Sequence, residues 1–201
     1  MNLQQRFEQL LGTYSGKKPG WADIEQAYSG KGRHYHTLEH LKTMFQWADQ
    51  VSDQLDDREV IDWAIFYHDI IYQVFRKDNE EQSAAFAKKV LADLGVAPER
   101  VERCVRHIQA TKQHHWSDDP DCNYLLDMDL GILGSERERY ELYTQQIRKE
   151  YRIFPDLLYK PGRKKVIDHF LGLDSIYKTE YFRALFEKQA RNNLKWELSF
   201  L

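Results

Sequence analysis

Apolar residues recur at three- and four-residue intervals along almost the whole chain, the period of helices that bury one face. Residues 2–11 and 21–28 read as two short helices, separated by the turn Gly16-Lys17-Lys18-Pro19-Gly20. A third helix is expected from about Thr37 to Gln54, and a fourth from about Asp57 to His68 with Val60, Ile61, Ala64 and Ile65 on one face. Asp78 or Asn79 can cap the next, which carries Glu80, Glu81 and Gln82 in its first turn and meets Gly95 beyond its end. Pro98 opens a helix reaching about Thr111. Residues 112–123 read as a polar loop, followed by a short apolar segment that ends in Asp127-Met128-Asp129. Ser135 with Glu138 three positions on predicts a capping box for a helix to about Tyr151, and two more helices are expected at 163–172 and 178–199. Strand signals are few.

The expected fold class is therefore all-α, a compact helical bundle in one domain over residues 1–201. Its motif-bearing part spans 33–134, with C-terminal helices at 135–199 packing on that core. Trp47, Trp63, Phe86, Tyr140 and Phe170 are expected in the core or an interface. Tyr181, Phe182, Leu185, Phe186 and Leu194 of the last helix are expected to pack internally or against a second copy, so a homodimer is one candidate assembly.

Composition narrows the partners. The chain has 201 residues, of which 30% are charged and 42% hydrophobic, the balance of a soluble globular protein. A net charge of −3 gives no electrostatic reason to expect nucleic acid. No apolar run approaches the ~18 residues that cross a bilayer, so no membrane partner is expected. The N-terminal residues lack a basic stretch followed by an apolar core, which argues against a signal peptide. The two cysteines, Cys104 and Cys122, form no redox or metal motif, and a cytoplasmic location is expected.

The chemistry concentrates in histidine and aspartate. Seven of eight histidines lie between His34 and His115. His36 and His40 are four apart, on one face of a helix and about 40° apart around its axis. Such a pair can serve one metal, or one ring can bind while the other donates a proton; a solvated helix start explains an isolated pair equally well. His68-Asp69 ends an apolar helix, where both side chains can turn to one point, and divalent cations accept this mixed set. Asp127 and Asp129 stand inside the apolar stretch 125–134, and a buried charge costs several kcal/mol unless it is paired or bound to metal. An N-cap or an ion pair to arginine would also account for one of them. His107, Thr111 and His114 share a face if their helix continues that far, as a polar face or as a second metal or phosphate contact.

The order HxxxH, then His-Asp, then a distant Asp before Leu130 resembles the HD superfamily of metal-dependent phosphohydrolases. The chain is similar to a bacterial branch of predicted HD phosphohydrolases through Arg33-His34-Tyr35-His36 with Glu39-His40, Tyr67-His68-Asp69 with Ile71-Tyr72, and Asn79-Glu80-Glu81-Gln82-Ser83-Ala84. The likeness continues through Ala110-Thr111 with His114, Asp127 to Gly134, Arg148-Lys149-Glu150-Tyr151, Ile176-Tyr177 and Ala190 to Leu194, covering roughly residues 30 to 198.

That resemblance implies His40, His68, Asp69 and Asp129 as metal ligands, with Asp127 as the alternative to Asp129. It places His36 where cyclic-nucleotide phosphodiesterases of the superfamily keep a proton-donating histidine. The catalytic set expected is His36, Asp69 and a glutamate that orients water, Glu80 or Glu81, with Glu81 preferred. Arg33, Lys112 and Arg148 are candidate phosphate contacts, and His107, His114 and Asp127 candidates for a second metal position or a phosphate contact. The ligand set suits Mn, Fe, Ni, Co, Zn or Mg, as one or two ions. The implied activity is hydrolysis of a small phosphate ester, a nucleotide first among them. Alternatives are a phosphodiesterase or pyrophosphohydrolase of a signalling nucleotide, an HD-fold di-iron oxygenase, and a non-catalytic metal-binding or scaffold protein.

Overall fold

A computed structural model describes residues 1–201, with ten α-helices, two 3-10 turns and no strand. The helices are α1 (Leu3–Gly12), α2 (Trp21–Tyr28), α3 (Leu38–Gln50), α4 (Arg58–Tyr67), α5 (Asn79–Leu94), α6 (Pro98–Ala110), α7 (Pro120–Asp129), α8 (Arg137–Glu150), α9 (Asp156–Gly172) and α10 (Glu180–Leu198). No helix is long and apolar enough to cross a membrane. The chain divides into two compact units, Met1–Leu125 and Leu126–Leu201.

The first unit is organised around α4, in which every residue from Val60 to Tyr67 is buried. Its continuous apolar run allows this: Trp63, Phe66 and Tyr67 have helices on all sides, and each large apolar side chain contributes roughly 1.5–3 kcal/mol by leaving water. Phe66 meets Phe7 edge to face at 5.1 Å and Phe45 at 4.7 Å, tying α1 and α3 to α4. The one carboxylate in the run, Asp62, is held by Arg58 one turn earlier at 2.6 Å. Asp57 accepts from Val60 N and so caps α4, and Arg100 from α6 grips the same carboxylate. Asp121, fully buried, accepts the backbone N–H groups of Asp56 and Asp57, both at 2.8 Å, and fixes the entry to α4. Helix α5 ends where Gly95 takes the left-handed conformation, φ 89°, that a side chain resists.

In the second unit the 3-10 turn Leu130–Gly134 lies against α10. Asn193 donates to the carbonyls of Leu133 and Ser135, both at 2.8 Å, and Tyr177 Oη donates to Leu130 O. Buried Glu197 joins α10 to α9 and α8 by accepting from Arg163 at 2.7 Å and Tyr140 Oη at 2.6 Å.

Several expected boundaries move. The third helix stops at Gln50, and Ser52–Gln54 form a 3-10 turn. The loop after α6 is shorter than expected because Pro120 opens α7, its fixed φ suiting a first helical position. The capping box at Ser135 does not form: Glu136 is the N-cap, and Ser135 Oγ donates to Ile132 O instead. Helix α9 begins at Asp156 rather than 163 and runs through Pro161. Trp63 and Tyr140 are core residues as expected, whereas Phe86 is exposed and Trp47 and Phe170 are half-buried. On α10, Phe182, Phe186 and Leu194 are buried, while Tyr181 and Leu185 face solvent.

Candidate metal centre

The end of α4 delivers His68 and Asp69 together. His68 keeps helical backbone angles as the C-cap, donating its N–H to Ala64 O at 2.8 Å. Its ring Nδ1 lies 3.0 Å from Ile65 O. A carbonyl can only accept, so Nδ1 carries the proton and Nε2 presents its lone pair, the tautomer a metal ligand needs. His40, in the first turn of α3, approaches from the other side, with its Nε2 3.2 Å from that of His68. Asp69 Oδ2 is 3.2 Å from His68 Nε2. The three donor atoms lie within 4.8 Å of one another, two on buried imidazoles and one on a half-buried carboxylate.

This arrangement fits a divalent cation. A single proton between two imidazoles would satisfy that pair alone, but the carboxylate adds a negative charge at the same point. Two donors each about 2.1 Å from one ion stand ~3.2 Å apart when they subtend roughly 100°. His–His–Asp is a borderline-to-hard donor set that suits transition metals better than calcium.

Groups around the cluster hold its backbone. Arg33 donates through Nη2 to the carbonyls of Asp69 and Ile70, at 2.7 and 3.2 Å, and through Nη1 to His36 O at 3.1 Å. Its guanidinium lies over the rings of Tyr28 and Tyr72. Tyr28 Oη donates to Phe66 O and accepts from Asp69 N. Asn79 pairs with both backbone groups of Gln73, and Ser83 with both of Ile71. The segment after the His-Asp pair is thereby pinned to the start of α5. Tyr28 carried no functional reading in the sequence; Asn79 and Ser83 stood in a stretch that carries the family resemblance, but with no role at the site.

His36 precedes α3 rather than riding on it, which corrects the expectation of one helical face for His36 and His40. It still stands beside the cluster, with Nε2 4.0 Å from Asp69 Oδ2 and its ring on Tyr72 at 4.2 Å. Tyr35 contacts the rings of both His36 and His40.

Other candidates have local partners. His107 is buried with Nε2 on Asp119 at 2.9 Å, and Asp119 is also gripped by Arg103 at 2.6 Å. Helix α6 ends at Ala110, so His114 does not share a helical face with His107; it takes the left-handed conformation at φ 52°. Lys112 bonds Lys77 O and Glu81, and Arg148 bonds Asp156 and the carbonyls of Tyr151 and Phe154. Glu81 is exposed.

The two aspartates of the second unit differ. Asp127 is fully buried and accepts from Lys178 N, Thr179 N and Thr179 Oγ1 at 2.7–3.0 Å, which fixes the entry to α10. Burial pushes its carboxyl up, against the pull of those donors. Asp129 is half-buried as the last residue of α7.

A family model described as HD domain matches residues 33–154, more than half of the chain. The chain belongs to the HD domain family, whose members are generally metal-dependent hydrolases that bind divalent metals. No curated protein and no solved structure matches it at significance.

Proposed function

We propose that this protein is a metal-dependent phosphohydrolase acting on a small phosphate ester, a nucleotide being the first class to test. The convergence of His40, His68 and Asp69 on one point carries the reading. Asp129 is kept as fourth ligand on the motif order. The spent hydrogen-bonding capacity of Asp127 supports that choice. A divalent ion supplies an activated water near neutral pH and neutralises charge on the phosphoryl group.

The chain's own residues do the rest. His68 is locked in the ligating tautomer by Ile65 O, and Arg33 and Tyr28 fix the Asp69 backbone so that its carboxylate need not reorganise. His36 protonates the departing oxygen, a role supported by its ring standing 4.0 Å from Asp69 and braced on Tyr72. The di-iron reading gains less: it asks for His107, which is engaged by Asp119, and His114, which lies beyond the end of α6.

The test is elemental analysis with a phosphate-release screen over nucleoside mono- and triphosphates, cyclic nucleotides and guanosine bis-pyrophosphates. Wild type should hold metal and turn over at least one class, and Asp69→Ala should lose both. Equal metal and equal turnover in the two proteins contradicts the assignment.

A further inference from the structure

Helix α9 is held to its own unit by few side chains. Ile167 is its one fully buried residue, Arg163 is anchored on Glu197, and Tyr159 and Phe170 are half-buried. Its first turn carries Leu157 and Leu158, 83% and 62% exposed, and Ile153 just ahead of it is 58% exposed. Leu157 is the most exposed large apolar side chain in the protein. One such residue on a surface needs no explanation, but three at one corner do. The corner is braced. Arg148, near the end of α8, bonds Asp156 at 2.7 Å and the carbonyls of Tyr151 and Phe154, and its guanidinium lies 4.7 Å from the Tyr159 ring centre. The turn between α8 and α9 is thereby fastened at both ends, and it presents its aliphatic side chains outward.

The charge at this corner runs against that of the chain. Residues 145–166 hold seven cations and two carboxylates, in a protein of net charge −3. Neither carboxylate is left over: Glu150 is buried, and Asp156 pairs with Arg148. Among the other cations, Arg163 pairs with Glu197, Lys164 with Asp168, and Lys160 donates to Phe200 O. Lys149, Arg152 and Lys165 are exposed and form no ion pair. Lys149 and Arg152 precede Ile153 in the chain. Lys165 follows Leu158 by seven positions, two turns along the same helix face. Three unpaired cations thus flank three bare aliphatic side chains.

We propose that the α8–α9 corner docks on the surface of an anionic phospholipid bilayer, with Ile153, Leu157 and Leu158 entering the interface and Lys149, Arg152 and Lys165 meeting the headgroups. Charge decides the occupant. A second copy of the chain would set the same unpaired cations against each other. A nucleic acid would satisfy the cations and leave the aliphatic side chains in water, because they neither stack on bases nor bond to phosphate. A bilayer satisfies both at once. The leucines leave water for the acyl boundary, and the long stems of lysine and arginine keep their charged heads among the anionic groups. Shape agrees with charge: side chains this exposed project from a convex corner, and a fluid surface closes around a projection where a globular partner needs a matching groove. Docking of this kind asks for no spanning helix, and the chain has none long and apolar enough.

The experiment is flotation of the whole chain with phosphatidylcholine vesicles, made with and without about 30% phosphatidylserine. Wild type should float with the anionic vesicles and stay behind with the zwitterionic ones. Raising salt from ~0.1 to ~1 M shortens the Debye length from about 10 to about 3 Å and should release it. The triple variant Lys149→Gln, Arg152→Gln, Lys165→Gln should bind about 10²-fold more weakly. The double variant Leu157→Ser, Leu158→Ser should bind at least ~10-fold more weakly. Both should keep the wild-type melting temperature, because every altered side chain is exposed. The native cysteines are buried, so Leu157→Cys takes an environment-sensitive label selectively, and its fluorescence should rise on anionic vesicles. Wild type that ignores anionic vesicles, full binding by either variant, or a label that stays dark while the protein floats overturns the proposal. Binding of poly-glutamate without binding of vesicles also overturns it, and makes the occupant an acidic protein.

Discussion

Replacing Asp127 with alanine should destabilise the protein while leaving its metal in place, and replacing Asp69 should do the reverse. Asp127 accepts two backbone N–H groups and one hydroxyl at the start of α10. An orphaned donor costs about 1–3 kcal/mol when buried. Lys178 and Thr179 are half-exposed, so water recovers part of each bond, and ~1 kcal/mol per donor gives about 3 kcal/mol. Relief from holding a buried carboxylate offsets some of this, since burial already disfavours its charged form. A net loss near 2 kcal/mol corresponds to a fall in melting temperature of about 4–8 °C for a chain of this length.

The assay is thermal unfolding in excess chelator, which removes the stabilisation that bound metal would add to either protein. Metal content is measured separately on protein loaded before the chelator step. Asp127→Ala should melt lower and bind a full complement of metal. Asp69→Ala should melt close to wild type in chelator and bind little. Loss of metal from Asp127→Ala with an unchanged melting temperature would make Asp127 the ligand and refute the structural role assigned to it.

Three further outcomes are expected. Arg33→Lys should weaken metal binding by roughly 10-fold or more, measured by competition with a chelating dye, because a single ammonium cannot hold the carbonyls of Asp69, Ile70 and His36 together. Gly134→Ala should cost about 1–3 kcal/mol in denaturant unfolding, since its added Cβ would lie 2.4 Å from Phe186 Cβ. Acid should weaken the fold partly through His107: burial holds its pKa below the ordinary 6.5 despite Asp119, so the unfolded chain takes up the proton first. Its contribution is constant above that value and stability declines as the pH falls below it. His107→Gln should flatten the slope of stability between pH 7.5 and 5; an unchanged slope would remove His107 from the account.

The elements legible in the sequence are those whose local signals agree with their packing. Helix α4 shows its apolar run and α5 its polar start and terminal Gly95, and both lie where the pattern puts them. Helix α9 starts at Asp156, ahead of the expected 163, with Pro161 inside it, although proline has no N–H to donate. The structure carries the helix through, since one missing bond in an exposed helix is tolerated when Arg163 and Ile167 anchor it to its unit. The capping box failed for the opposite reason. Ser135 had the right spacing to Glu138, yet the helix starts at Arg137 with Glu136 as its N-cap, which leaves Ser135 outside the capping position.

The site divides in the same way. Adjacent His68 and Asp69 at a helix end were readable because chain continuity brings them together. Spacing alone does not separate Glu80 from Glu81 or Asp127 from Asp129, because neighbouring helical positions differ by about 100° and only packing says which faces what. That packing resides in groups with no catalytic signature. Asn79 and Ser83 bond both backbone polar groups of Gln73 and Ile71, and this sets the rotation of α5. Ser83→Ala frees both backbone groups of Ile71 and should weaken metal binding in the dye competition assay while leaving His40, His68 and Asp69 chemically intact.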